Sequence, residues 1–208
     1  MRPHPWRRWA IREKARESLS RYLETPAARL LVRLKIPPNA ITVVGLLVTA
    51  LAAYLVSQDN LLIGGLVFLF ASALDMLDGA VARLKGEESV FGAALDSLAD
   101  RLGEAIVLLG AAALFLHRDS DVGVLLAFLA LVSSFSVSYI RARGEGLGVA
   151  MKESGLFTRT ERVLVLTVGL LTGWLVPALS VMIALSVVSL AQRVYALWSG
   201  TRADRRAD

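Results

Sequence analysis

The chain has 208 residues, of which 55% are hydrophobic and 20% are charged, and its mean hydropathy is +0.58. A soluble domain of this size cannot bury so much apolar surface, so the composition predicts a membrane protein and excludes disordered and fibrous classes. The absence of cysteine excludes disulfide bonds, thiolate nucleophiles and cysteine-ligated metal centres, which leaves oxygen and imidazole as metal ligands. The net charge of +5 does not indicate nucleic-acid binding, because the basic residues lie between apolar runs without interleaved aromatic side chains.

Residues 1–36 carry charges throughout and predict a cytoplasmic juxtamembrane segment. Within it, apolar side chains recur every four residues between charged ones, at Ile11, Ala15, Leu19 and Leu23. This spacing is typical of an amphipathic helix that lies on the membrane surface. Thr25 followed by Pro26 predicts the start of a second helix, which runs through Leu34 and ends before Pro37.

Six apolar segments follow the juxtamembrane segment and predict six transmembrane helices. They cover about residues 41–56, 61–84, 91–115, 122–140, 163–174 and 176–198. The break between the last two is apolar and can also be a kink near Pro177, which leaves five or six helices open. The predicted fold is an all-α, polytopic membrane domain at residues 37–200, followed by a polar cytoplasmic tail at 201–208.

The basic residues are distributed unequally between the two sides of the predicted membrane domain. Ten of the 23 Lys and Arg residues lie between Arg2 and Lys35, and most of the rest lie in alternate connections or near the C-terminus. The connections near residues 57–60 and 172–177 have none. By the positive-inside rule, both termini are predicted to be cytoplasmic in the plasma membrane, which favours an even number of spans.

Four aspartates interrupt the second and third apolar segments, at Asp75, Asp78, Asp96 and Asp100. Spacings of three and four residues place each pair on one face of a helix, so two adjacent helices can turn the pairs toward each other. A carboxylate in a membrane helix costs about 2.5–3.5 kcal/mol, so the set needs compensating positive charge. Two divalent cations would supply it, and a site built from carboxylates suits Mg²⁺ or Mn²⁺ and can clamp a phosphoryl group.

Two other interpretations of the aspartates stay open at this point. The acids can sit at the cytoplasmic interface and pair with Arg83, Lys85 and Arg101. They can also form a proton relay or an ion path, as intramembrane acids do in transporters. A transporter would predict activity that follows an ion gradient.

The stretch from Asp75 to Asp100 resembles the signature of the CDP-alcohol phosphotransferase family. It reads Asp75-x2-Asp78-Gly79-x2-Ala82-Arg83-x8-Gly92-x3-Asp96-x3-Asp100, and every signature position is filled. The resemblance implies transfer of a phosphatidyl group from CDP-diacylglycerol to an alcohol, with release of CMP. It also implies two Mg²⁺ ions, with Mn²⁺ as the alternative, on the four aspartates, and Asp100 as the catalytic base that takes the acceptor hydroxyl proton. Membrane prenyltransferases also bind Mg²⁺ and diphosphate on aspartate-rich helices, but they need more helices than 208 residues provide at about 20 residues per span.

The same resemblance implies a pocket for the CDP-lipid. The signature residues that would line it are Asp78, Gly79, Ala82, Arg83 and Gly92. The stretch Pro38-Asn39-x2-Thr42 resembles the family's segment at the first membrane helix, close to the nucleotide. Simpler interpretations stay open as well, because glycine also allows close packing of membrane helices and proline also marks an ordinary helix start.

Arginines near the ends of the last three segments indicate a phosphorylated acceptor rather than serine, choline or free inositol. Guanidinium groups bind phosphate oxygens bidentately, and an Arg inside an apolar helix, such as Arg193, needs a partner. For Arg143 and Arg159, the alternative to phosphate binding is that they are ordinary basic residues on the cytoplasmic side of the membrane.

Three stretches sharpen the acceptor by their resemblance to phosphatidylinositol phosphate synthases of the actinobacterial type: 138–143, 159–162 and 191–198. The resemblance implies that Arg141, Arg162 and Arg193 bind the phosphate of inositol 3-phosphate, and that the protein is a homodimer in the lipid bilayer. Position 141 departs from that subfamily, where lysine is expected. Glycerol 3-phosphate, the acceptor of phosphatidylglycerol phosphate synthases, is the alternative, because both acceptors carry a phosphate monoester.

Overall fold

The computed structural model describes residues 25–149, 151 and 155–204, and the secondary structure in these ranges is helical. The helices are α1 (Thr25–Arg33), α2 (Pro38–Ser57), α3 (Leu61–Lys85), α4 (Val90–His117), α5 (Asp121–Gly146), α6 (Arg159–Thr172) and α7 (Leu175–Asp204). The all-α prediction is confirmed for this part of the chain, and α1 forms where the second juxtamembrane helix is predicted. The predicted amphipathic helix around residues 11–23 lies outside the described residues.

Local sequence signals explain where these helices begin and end. Pro38 opens α2, a position where its missing N–H has no intrahelical partner to lose. Thr158 precedes α6, and its backbone N–H donates to Glu161 Oε2 at 2.8 Å, as in a capping box. Gly173 ends α6 in the left-handed conformation, with φ of 75°, and its N–H donates to the carbonyl of Leu170 at 3.3 Å. The apolar break before Pro177 is therefore a helix end rather than a kink.

Helix length and composition identify a multi-pass membrane protein. Four helices in the described ranges are long and apolar enough to cross a bilayer: α2, α3, α5 and the Leu175–Thr201 part of α7. The 28-residue α4 has charged side chains in its N-terminal half, and the 14-residue α6 is about 21 Å long. The count of six spans therefore stays a prediction.

The chain forms two compact units, and the first contains Ala71–Ala99 together with the described residues up to Leu46. Its small core consists of Ala28, Ile41, Ala80 and Val81. Lys85, the last residue of α3, binds the connection between α1 and α2. Its Nζ donates a hydrogen bond of 3.0 Å to the carbonyl of Ile36. These contacts hold the start of α2 beside α3.

The second unit contains Leu47–Phe70 and the described residues from Asp100 onward. Both α5 and α6 pack against α7, and a large apolar core includes Leu108, Leu166, Leu170 and Met182. The same unit buries several polar groups in helices that are otherwise apolar: Glu104, Ser133, Ser134, Arg162, Thr167, Ser186, Ser189 and Arg193. Buried polar groups in membrane helices need partners, so this unit holds a second region of functional interest.

Candidate active site

Three of the four predicted aspartates meet in the first unit. Asp75 and Asp78 lie on α3 and Asp96 lies on α4, and one carboxylate oxygen of each lies within 4.8 Å of the others. Asp78 is buried, with 6% of its surface exposed, whereas Asp75 and Asp96 are partly exposed. Oxygen atoms at these separations can share a divalent cation, which prefers carboxylate ligands.

Asp78 is held in one orientation by hydrogen bonds to both of its oxygens. The hydroxyl of Thr42 on α2 donates to Oδ2 at 2.5 Å, and the backbone N–H of Gly79 donates to Oδ1 at 2.5 Å. Carboxylates that bind metals are commonly oriented by hydrogen bonds of this kind, and a carboxylate oxygen has two lone pairs, so it can accept a hydrogen bond and bind a cation at the same time. Thr42 therefore supports the aspartate cluster in addition to lining the adjacent cavity.

The cavity next to the aspartate cluster has a volume of about 190 Å³. It is lined by all eight residues predicted for the CDP-lipid pocket: Pro38, Asn39, Thr42, Asp78, Gly79, Ala82, Arg83 and Gly92. Further lining residues were not predicted: Glu87, Glu88, Ser89 and Ala93. Ser89 was recognisable in the sequence, because a serine directly before an apolar run is a helix N-cap signal.

Two helix N-termini open at this cavity. Pro38 and Asn39 begin α2, and Ser89 caps α4, since its Oγ accepts the backbone N–H of Gly92 at 3.0 Å. Helix N-termini carry partial positive charge and backbone N–H groups that suit phosphate oxygens. Together with Arg83, they supply the cavity with donors for the oxygens of a diphosphate, whereas Asp78, Asp96, Glu87 and Glu88 line it with carboxylates.

The two signature glycines adjoin polar groups that line the cavity. A Cβ atom at Gly92 would lie 3.0 Å from Ser89 Oγ and 3.4 Å from Asn39 Oδ1. A Cβ atom at Gly79 would lie 3.3 Å from Arg83 Nη1. At both positions, the missing side chain leaves room for polar lining groups, which favours a binding role over helix packing alone.

Asp100, the fourth predicted aspartate, lies four residues after Asp96 on α4 and belongs to the second unit. There it forms an ion pair with Arg159 at the start of α6. In the sequence, ordinary positive-inside charge was the alternative explanation for Arg159, and its pairing with Asp100 was not predicted. The ion pair places a cation beside the predicted catalytic base.

The three arginines predicted to bind the acceptor phosphate all have partners in the second unit. Arg162 is 3% exposed and forms a bidentate pair with Glu104, with Nε to Oε1 at 2.7 Å and Nη2 to Oε2 at 2.9 Å. Arg193 is also buried, and its Nη1 donates to the carbonyl of Val137 at 2.5 Å. Arg141 pairs with another carboxylate on its own helix, because its Nε lies 3.0 Å from Glu145 Oε1.

Glu104, the buried partner of Arg162, was not singled out in the sequence. It follows Asp100 by four residues on α4, so the two acids share one face of that helix. A further acid at helical spacing after the signature was the signal that could have identified it. Its partner Arg162 lies 58 positions away in the sequence, beyond the reach of local patterns.

The segment before α6 packs closely on α7 beside Arg193. The backbone N–H of Leu156 donates to Gln192 Oε1 at 2.9 Å, and the hydroxyl of Ser189 donates to the carbonyl of Phe157 at 3.2 Å. Gly155 has φ of 97°, and a Cβ atom there would lie 2.8 Å from Arg193 Nε. Glycine at this position therefore allows the segment to approach the Arg193 side chain.

Comparisons with known proteins agree with the signature. The profile of the CDP-alcohol phosphatidyltransferase family matches residues 35–198. An archaetidylinositol phosphate synthase of Pyrococcus horikoshii is 36% identical over 185 residues, covering 89% of this chain and 93% of the relative. A phosphatidylinositol phosphate synthase of Corynebacterium glutamicum is 37% identical over 179 residues, covering 81% of each.

Solved structures of the Mycobacterium tuberculosis phosphatidylinositol phosphate synthase are similar to this chain. The structure with CDP-DAG bound has a TM-score of 0.77 at 30% identity and covers 85% of this chain and 94% of that chain. The structure in complex with manganese and citrate has a TM-score of 0.78 at 30% identity and covers 85% and 89%.

Proposed function

The chain belongs to the CDP-alcohol phosphatidyltransferase family, and we propose that it transfers a phosphatidyl group from CDP-diacylglycerol to inositol 3-phosphate. The products are CMP and phosphatidylinositol phosphate, an intermediate of phospholipid biosynthesis. One observation carries the proposal: a single cavity is lined by Asp78 and Asp96 of the aspartate cluster and by residues at two helix N-termini. That combination suits a diphosphate bound between backbone N–H groups and carboxylate-held cations.

The aspartate cluster fits a divalent cation. Its ligand atoms are carboxylate oxygens within 4.8 Å of one another, and Asp78 is already oriented by Thr42. We propose two Mg²⁺ ions, with Mn²⁺ as the alternative, and Asp100 as the fourth ligand from the next turn of α4. The manganese complex of the mycobacterial relative supports a divalent cation. Bound cations would supply Lewis-acid stabilisation of the pyrophosphate oxygens.

The protein's own groups bind the donor and move one proton. Arg83 and the N-termini of α2 and α4 bind phosphate oxygens of the CDP-lipid. Asp100 accepts the proton of the acceptor hydroxyl as that oxygen attacks the β-phosphorus of the donor. A new P–O bond forms to the acceptor, the P–O bond to CMP breaks, and CMP leaves with the electron pair. Arg159 pairs with Asp100 and holds this carboxylate in place.

The acceptor is proposed from the arginines and from the relatives. Arg162 and Arg193 are buried guanidinium groups in apolar helices, where a phosphate monoester is a suitable partner. The names of the archaeal and bacterial relatives share inositol phosphate and differ in the lipid part. The archaeal and the bacterial relatives therefore both support an inositol phosphate acceptor, whereas only the bacterial relatives support a phosphatidyl donor.

We further propose that all six helices from α2 to α7 cross the membrane, with both termini in the cytoplasm. The uneven distribution of Lys and Arg supports this orientation. The site would then open toward the cytoplasmic leaflet, where a membrane lipid and a water-soluble acceptor meet. Assembly as a homodimer stays a prediction.

The test is CMP release from CDP-diacylglycerol by purified protein with Mg²⁺. Inositol 3-phosphate, glycerol 3-phosphate, free inositol and serine are compared as acceptors, and the archaetidyl counterpart of the donor is compared with CDP-diacylglycerol. Turnover with inositol 3-phosphate alone would support the proposal. Preference for glycerol 3-phosphate would reassign the acceptor, and no release with any acceptor would contradict the donor assignment.

A further inference from the structure

The pair between Glu104 and Arg162 joins two buried charges inside helices that are otherwise apolar. Glu104 is 6% exposed and Arg162 is 3% exposed. Two hydrogen bonds of 2.7 and 2.9 Å connect the carboxylate with Nε and Nη2 of the guanidinium group. Nη2 also lies 3.4 Å from Ser138 Oγ on α5. These three contacts use Nε and Nη2 of the guanidinium group, and none of them involves Nη1.

Arg193 is anchored beside Arg162. Its Nη1 donates to the carbonyl of Val137, the residue next to Ser138, so both arginines contact the same turn of α5. Two guanidinium groups at one helical turn repel each other in a medium of low dielectric constant. Glu104 offsets the charge of Arg162 and reduces that repulsion, and a phosphate dianion next to both guanidinium groups would reduce it further and accept hydrogen bonds from each.

Stabilisation of the fold does not by itself explain why the buried ion pair between Glu104 and Arg162 is present. Apolar residues of similar volume are commonly as stabilising as a buried ion pair, because the desolvation of two charges offsets their attraction. Bidentate geometry, in contrast, fixes the plane and direction of a guanidinium group. Fixed direction is what a binding site needs, because misplacement of a binding group weakens its contact with the ligand.

We propose that Glu104 is a positioning residue for the acceptor: its carboxylate aims the Nη1 side of Arg162 at the phosphate monoester of the incoming alcohol. The inference rests on the proposed function, which makes Arg162 a phosphate ligand. Glu104 itself touches neither substrate. Its effect on catalysis runs through the orientation of Arg162.

The substitution Glu104→Gln tests this proposal, because a positioning role predicts a rise in the acceptor KM. The amide keeps the volume of the side chain and one acceptor oxygen, but its NH₂ group cannot accept the second hydrogen bond. Arg162 then loses its fixed direction, and the acceptor KM is expected to rise about tenfold, the loss of one hydrogen bond to a charged group. The KM for CDP-diacylglycerol stays unchanged. If Glu104 acted only through its negative charge, which repels a phosphate, its removal would instead lower the acceptor KM.

A double-mutant cycle tests whether the effect runs through Arg162. The full-length protein and the variants Glu104→Gln, Arg162→Gln and the double variant are purified, and both KM values and the melting temperature are measured. Glu104→Gln is expected to raise the acceptor KM in the wild-type background and to add nothing in the Arg162→Gln background. Asp59→Asn is the matched control, because it breaks the exposed Asp59–Arg118 ion pair in a loop and should leave both KM values unchanged.

Several outcomes would overturn the positioning role. An unchanged or lower acceptor KM in Glu104→Gln would do so, and so would an equal rise in both backgrounds. A parallel rise of donor and acceptor KM with a lower melting temperature would show a structural role instead.

Failure of the proposed function has a different signature. If the wild type uses only glycerol 3-phosphate, the acceptor assignment fails, and the same cycle run with that monoester still tests Glu104. If the wild type releases no CMP, calorimetric binding of inorganic phosphate to the four proteins tests the positioning directly. Weaker phosphate binding in Glu104→Gln than in the wild type is then the expected result, and equal binding would refute the role.

Discussion

The hydroxyl of Thr42 donates a hydrogen bond of 2.5 Å to Oδ2 of Asp78, and both residues are buried. This bond connects the first turns of α2 to the aspartate cluster on α3 and α4. Thr42 is thus placed to set the orientation of a predicted metal ligand. The hydrogen bond to Asp78 explains why a threonine follows Pro38 and Asn39 in this stretch, which the start of a helix alone does not explain.

Replacement of Thr42 by valine should lower CMP release about tenfold, because loss of an orienting hydrogen bond to a metal-binding carboxylate typically costs that much or more. Valine has a similar shape, so the fold should persist. Thr42→Ser keeps the hydroxyl and should retain most of the activity. The rate is measured against Mn²⁺ concentration, and equal rates in Thr42→Val and the wild type would contradict the role of this bond.

Replacement of Asp100 by asparagine should abolish transfer, with a loss of at least about 100-fold, because the acceptor hydroxyl loses its general base. The variant should still insert into membranes, which is checked by its recovery in the membrane fraction. Asp119→Asn is a suitable control, since this exposed residue lies in the connection between α4 and α5. Near-normal activity of Asp100→Asn would remove the assignment of the base.

Replacement of Arg193 by glutamine should raise the acceptor KM about 30-fold or more, the usual effect of deleting one partner of a buried charged hydrogen bond. The donor KM should change much less. Arg118→Gln provides a comparison, because that arginine belongs to an exposed ion pair. An unchanged acceptor KM would refute the assignment of Arg193 to the phosphate.

Replacement of Gly92 by alanine should raise the KM for CDP-diacylglycerol about fivefold or more, because the new methyl group crowds Ser89 and Asn39. Alanine also favours a helix, so the melting temperature should not fall. Gly146→Ala is the matched control, since a Cβ atom at that helical glycine has open space around it. If both variants keep the donor KM of the wild type, Gly92 serves packing rather than the cavity.

Much of the fold and of the donor cavity could be predicted from the sequence. Helices α2 to α7 lie where the six apolar segments predict them, and one cavity is lined by the eight residues that the signature and the Pro38-Asn39-x2-Thr42 stretch imply. Three of the predicted aspartates meet on two helices, as their spacing indicates. Hydrophobic run length and helical periodicity are local properties, and the connection between α3 and α4 is short enough to bring neighbouring motifs together.

The acceptor region depended on the tertiary structure. The sequence predicted arginines for it, but the partners of Arg162 and Arg159, which are Glu104 and Asp100, lie on a helix more than 50 positions earlier. The approach of Gly155 to Arg193 likewise joins a connection to the middle of another helix. Such contacts depend on how whole helices pack, and no local spacing encodes which faces meet. The sequence by itself therefore determined the membrane class, the helices and the donor motif, whereas the packing of α4 to α7 decided that Glu104 pairs with Arg162, that Asp100 pairs with Arg159 and that Arg193 contacts the carbonyl of Val137.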